Sequence, residues 1–217
     1  MPAFVEALVA AAEAELTRFA GRRETAPSVA PILTEYWLAV PDVSAAAARV
    51  HIARRTAWSA AFISFLVRQA LAESGTAAHF EFSASHSIYA GAAIRNDFDA
   101  VPPPAFYGLP PNGAGGEKLR PGDILGYPRT TAIDDYEDAL RAARRQPRPD
   151  TYPSHFDVVT GISDGEATLI GGNVSQTVKR TTLKLDPDGF APVRGFRSDM
   201  TGAIISGPFI CIIRLMT

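Results

Sequence analysis

The sequence predicts an α+β fold in which N-terminal helices pack on an antiparallel sheet. Three observations lead to it. Apolar residues recur at helical intervals through most of the first hundred positions. From about residue 123 onward, short β-rich runs are divided by the turn dipeptides Asp164-Gly165 and Asp188-Gly189. Helices come first and strands afterwards, without the strict alternation that a parallel sheet requires. The 217 residues are 47% hydrophobic and 20% charged, enough to bury one sizeable core. No linker divides the chain, so it is read as a single domain over 1–217, with a helical extension over 1–49 ahead of a main body over 50–217.

The elements follow in order. The spacing predicts a helix over 3–19, whose polar positions include Glu6, Glu13 and Glu15. A second covers 44–54, with Asp42 or Ser44 as N-cap. A third covers 57–73 and closes at Gly75, and a weaker one covers 83–97. Residues 100–122 read as loop, because Pro102-Pro103-Pro104, Pro110-Pro111 and Gly113-Ala114-Gly115-Gly116 interrupt any regular pattern. A loop of that length is a candidate wall for a substrate groove. Strands are expected over 123–127, 156–162, 167–170, 177–185 and 203–215. A charged surface helix over 134–145 is closed by Pro147 and Pro149.

Composition excludes several classes of function. The net charge of −2 and the presence of only three lysines (Lys118, Lys179, Lys184) give no basic field for nucleic acid. Cys211 is the sole cysteine, so no internal disulfide or Cys-rich zinc site is possible; it is read as a buried strand residue. No apolar run is long enough for a membrane span. The N-terminus does not read as a secretory signal, which leaves the chain cytoplasmic as synthesised unless it is exported to the periplasm. There is no Walker loop, no GxGxxG and no GxSxG elbow. The cluster Asp134, Asp135, Glu137 and Asp138 reads as an acidic helix start, complemented by Arg141, Arg144, Arg145 and Arg148 at the helix end.

Two segments carry candidate chemistry. Ser59 stands in the first turn of the third helix on the face shared by Phe62, Ile63 and Leu66, where backbone N–H groups and the helix dipole favour a nucleophile. A small residue at a close helix contact would fit that position as well. His155 opens the run His155-Phe156-Asp157-Val158-Val159. A three-residue turn centred on Asp164 would pair positions summing to 328, placing Asn173 opposite His155 and Asp157 on the same face. An imidazole base oriented by an amide or a carboxylate is the arrangement that activates a hydroxyl. His86 and Tyr89, at i and i+3 on the fourth helix, can face one cleft, whereas His51 and His79 read as packing or surface residues. No close His/Glu spacing supports a metal site among His86, His155 and Asp157.

The ordered set Trp58-Ser59-Ala60-Ala61-Phe62-Ile63-Ser64, Pro121-Gly122-Asp123-Ile124, His155-Phe156-Asp157-Val158-Val159 and Ile170-Gly171-Gly172-Asn173 resembles the papain-like CHAP and NlpC-type cell-wall hydrolases. It is more closely similar to an uncharacterised bacterial family related to them, over roughly residues 50–185. The resemblance implies a papain-like α+β fold and hydrolysis of an amide bond in peptidoglycan. Ser59 would take the nucleophile's place, His155 the base's, and Asn173 or Asp157 that of the group holding the ring. Trp58, His86 and Tyr89 are candidates for substrate contact, and neither cofactor nor metal is required.

The chain departs from that pattern at its centre, because Ser59 stands where a cysteine is expected. A serine hydroxyl is far less acidic than a thiol, so it needs a base during attack and an oxyanion site. Two readings follow. One is a serine-dependent hydrolase; the other is an inactive module that binds cell-wall peptide or a protein partner in the same groove. An exported wall enzyme would also imply a secretion-system or immunity partner.

Overall fold

The computed structural model describes residues 2–113, 115–193, 195–199 and 204–217, and within them the fold is α+β. Helix α1 (Ala3–Phe19) has the predicted span and buries Phe4, Leu8 and Phe19, with Ala7, Ala11 and Ala12 keeping its inner face narrow. It lies against α4 (Ser59–Ser74), whose face from Ser59 to Val67 is buried throughout and which ends at Gly75 in the left-handed conformation. Between them come α2 (Ala30–Leu38) and α3 (Ala45–Ala53). Ser44 caps α3 by accepting from the Ala47 N–H. Helix α2 lies outside every predicted helix: its aromatic pair Tyr36-Trp37 has modest helix propensity, and burial of Ile32, Leu33, Tyr36 and Trp37 stabilises it instead. Helix α5 (His86–Phe98) follows, starting three residues later than predicted.

The strands β1 (Ala105–Leu109), β2 (Ile124–Pro128), β3 (Ser154–Ser163), β4 (Glu166–Val174), β5 (Thr177–Lys184), β6 (Gly195–Asp199), β7 (Ile204–Gly207) and β8 (Cys211–Met216) form one antiparallel sheet in the order β1-β8-β2-β3-β4-β5-β6-β7. Strands β2, β3, β4 and β5 match the predicted runs closely. Between β2 and β3, α6 (Tyr136–Ala143) is capped by Asp135. The C-terminal run divides into β7 and β8, with Ala203 outside the described residues, and β6 is additional. The loop expectation for 100–122 is corrected in part. Strand β1 occupies the five residues between Pro104 and Pro110 and pairs with β8. Proline stops a ladder locally, but a partner strand stabilises the short run that the prolines leave free.

Period-two alternation divides the sheet's side chains into two cores. Ile124, Phe156, Val158, Ile170 and Ile213 pack with the helices in the larger cluster. Their neighbours Leu125, Val159, Leu169 and Ile212 form a second cluster with Tyr127 on the opposite face. The β3–β4 turn differs from expectation in the same terms. It has two residues, Asp164 and Gly165, both at positive φ, and Ser163 pairs with Glu166. A shift between Val159 and Gly161 then restores the pairing of Val158 with Ile170.

Gly126 faces the helices beneath Phe156, its partner across β2 and β3, and a Cβ there would run into the ring. The expected cost of Gly126→Ala is about 1–3 kcal/mol, as for other overpacked cores. Urea denaturation checks it; unchanged stability would show that the ring yields freely.

Candidate functional site

Ser59 is the first residue of α4, and no side chain caps that helix end. The first-turn N–H groups of α4 therefore have no side-chain acceptor. Trp58, expected at the substrate, is instead a core residue. Its ring stacks on Phe19 with centroids 5.4 Å apart, and its Nε1–H donates to Glu24 at 2.7 Å. A flat indole flanked by Phe19 and Tyr36 fixes the entry of the chain into α4, and with it the position of Ser59.

The hydroxyl of Ser59 meets His86, not His155. Ser59 Oγ lies 2.7 Å from His86 Nε2, and the Nδ1 of the same ring bonds to the Tyr89 hydroxyl. The i,i+3 spacing on α5 brings His86 and Tyr89 together, as the sequence predicts. The imidazole stacks on Phe156, ring centroids 5.5 Å apart. Ser59, His86 and Tyr89 are 6%, 5% and 1% exposed, so the chain of three groups is nearly closed to water.

Strand parity explains why His155 is not the partner of Ser59. Phe156 points into the cluster beneath the helices, so its neighbour His155 turns to the face it shares with Tyr127, whose ring centroid is 5.4 Å away. His155 Nε2 lies 3.1 Å from Asp157 Oδ1, and Arg129 Nη2 lies 3.2 Å from His155 Nδ1. A guanidinium can only donate, so Nδ1 accepts and the proton sits on Nε2, directed at Asp157. Both ring nitrogens are thus engaged away from Ser59. The two histidines nevertheless adjoin, with ring centroids 5.5 Å apart, where β2 ends and β3 begins.

Of the two groups expected to hold His155, Asp157 does so. Asn173 falls where the β4–β5 register shifts, in the left-handed conformation at φ 58°, beyond the last β3–β4 pair at Val158 and Ile170. The extrapolated register fails there because β3–β4 pairing ends at Val158 and Ile170, before it reaches His155. Gly171 has a specific role: a Cβ at this position would overlap the Asp157 carboxylate, so only glycine leaves that carboxylate room to reach His155. Arg129 escaped the sequence reading. The observed pairing of Tyr127 with His155 carries the chain on to Arg129 beside that ring, and this β2–β3 register was the signal that would have found it.

Residues 30–200 match the model of a family described as uncharacterized protein conserved in bacteria (DUF2272). The chain belongs to that family. The match begins at α2 and takes in Ser59, His86, Tyr89, Arg129, His155 and Asp157. No curated protein and no solved structure matches the chain. Among the described residues, no helix is long and apolar enough to cross a membrane, and no group of three or more His, Cys, Asp or Glu is arranged to hold a metal ion.

Burial holds His86 well below its usual pKa. Its neighbours His155 and Arg129 lower it further, and Asp157 opposes them. The ring is therefore neutral at pH 7. The tautomer with its proton on Nδ1, donated to Tyr89, leaves the Nε2 lone pair for the Ser59 hydroxyl. Burial also drives the Tyr89 hydroxyl well above its ordinary range, so it stays protonated.

This makes stability pH-dependent. Below about pH 6.5 the unfolded chain protonates His86 while the folded protein does not, so acidification favours unfolding. Stability contributed by the neutral ring is complete above that pH and is lost as the pH falls toward the folded-state pKa, by up to about 1.4 kcal/mol per pH unit. Chemical denaturation between pH 7.5 and 5 should show this slope reduced in His86→Gln; equal slopes would mean that His86 does not titrate differently in the two states.

Proposed function

We propose that the protein is a serine-dependent hydrolase of amide or peptide bonds, with peptidoglycan as the substrate that the CHAP/NlpC resemblance implies. The observation that carries this reading is the 2.7 Å approach of Ser59 Oγ to His86 Nε2 at the start of α4. In this mechanism His86 removes the hydroxyl proton as Ser59 attacks the carbonyl carbon, and then delivers it to the leaving nitrogen as the C–N bond breaks. Water, deprotonated by the same ring, hydrolyses the ester on Ser59 and regenerates the hydroxyl. Tyr89 holds the tautomer and aim of His86. The first-turn N–H groups of α4 are the candidate donors for the oxyanion.

The base in this proposal is His86, on the helix after the nucleophile. In the papain-like pattern implied by the resemblance, His155 on the strand has that role. His155 with Asp157 packs beside His86 and limits the room in which that ring can turn. A second reading is a groove that binds without turnover. The low exposure of Ser59 and His86 favours it, because substrate must displace covering groups to reach them.

Purified peptidoglycan digested with wild-type protein should give new fragments by mass spectrometry, their masses naming the bond. Ser59→Ala and His86→Ala should each lower the rate by at least about a thousandfold, as removal of one member of such a unit does. His155→Gln should lower it less. A papain-like assignment of the base predicts the reverse order for the two histidines. Folded wild-type protein that neither cleaves nor reacts with a fluorophosphonate at Ser59 would support the binding module.

Tyr89→Phe isolates the hydroxyl's contribution. Without it the Nδ1 proton has no acceptor and the ring is free to adopt the other tautomer. A fall in kcat of about tenfold or more, with KM little changed, is expected, since comparable positioning hydrogen bonds contribute on that scale. An unchanged kcat would remove Tyr89 from the mechanism.

A further inference from the structure

Arg129 combines an exposed side chain with a fixed place at the candidate site. Its backbone N–H donates to the Pro153 carbonyl at 2.8 Å, which ties the end of β2 to the start of β3. One guanidinium nitrogen is committed to His155 Nδ1 at 3.2 Å. Among the described residues no carboxylate lies within ion-pair distance of this guanidinium, whose side-chain partner is the His155 ring. The other nitrogen of the ring that Arg129 touches is turned to Asp157. A cation is thus held one ring away from His86, with the Asp157 carboxylate across that ring.

We propose that Arg129 determines specificity by docking a carboxylate carried by the substrate close to the bond that Ser59 attacks. This deepens the hydrolase reading and rests on it for the word substrate. A planar guanidinium with one N–H spent still presents donors in the fork that matches a carboxylate. Asp157, behind the same imidazole, favours a singly charged ligand over a doubly charged phosphate. The order of groups sets the geometry: Ser59, His86, His155 and Arg129 follow one another through contacts of 2.7, 5.5 and 3.2 Å, the middle value being a ring-centroid separation. The docked carboxylate therefore belongs to a residue near the scissile bond, at either a peptide's free C-terminus or an acidic group on the acyl side.

Three peptides distinguish these cases: acetyl-trialanine with a free C-terminal carboxylate, succinyl-trialanine amide with an N-terminal one, and the neutral acetyl-trialanine amide. Calorimetric titration of Ser59→Ala protein, which binds without turnover, should show one carboxylate peptide binding about tenfold more tightly than the neutral peptide. That advantage should disappear in Arg129→Gln, partly return in Arg129→Lys, and be accompanied in the Arg129 protein by a shift of the His155 ring nitrogens in NMR spectra. Equal binding of all three peptides, or an advantage that survives Arg129→Gln, would overturn the proposal. Fluorophosphonate labelling of wild-type Ser59 reads the hydrolase assignment separately. Labelling without carboxylate preference refutes only the role of Arg129, and preference without labelling refutes only the chemistry.

Discussion

The Ser59–His86 hydrogen bond depends on keeping an imidazole neutral in a nearly dry interior. Burial removes water that would otherwise stabilise the protonated ring, and the nearby Arg129 guanidinium acts in the same direction. The neutral ring can then accept from a hydroxyl at one nitrogen and be held by a phenol at the other. Phe156 beneath the ring and Trp58 beside the start of α4 are the apolar walls that maintain those conditions. Aromatic packing and reactivity are in this sense one arrangement.

A second polar chain adjoins the first from the other face of the sheet. Arg129, His155 and Asp157 form a series in which each partner dictates the proton position of the next. The two chains meet only through the adjoining imidazoles. Their separation follows from strand geometry: consecutive residues of β3 point to opposite faces, so Phe156 and His155 cannot both lie under the helices. Glycines at Gly126 and Gly171 make room for Phe156 and Asp157, and both sit on strands adjoining β3.

Much of the site was legible in the sequence, and the exceptions share a cause. Ser59 at a helix start and the His86–Tyr89 spacing follow from local periodicity. Asp157 beside His155 follows from the two-residue repeat of a strand. The partnership of Ser59 with His86 did not follow, because it joins two helices whose relative placement no local pattern encodes. Asn173 was misplaced by carrying one register past the end of the β3–β4 ladder, and Arg129 was missed because its proximity to His155 arises from pairing between strands separated by α6. In the fold, α2 and β1 were hidden for a related reason: aromatic residues in one and flanking prolines in the other obscure the local signal.

The sequence by itself determined the α+β class, the boundaries of α1, α3 and α4, the main strands, and which polar residues fall on apolar faces. These depend on repeats of 3.6 and 2 residues and on capping groups, all of which act over a few positions. The tertiary structure alone decided which histidine meets the serine, which face of the sheet each polar chain occupies, and where an arginine is brought against a buried ring. Those outcomes depend on packing between elements distant in the chain, where the volume of Phe156 and the space left by Gly171 select one arrangement from several that the local pattern allows.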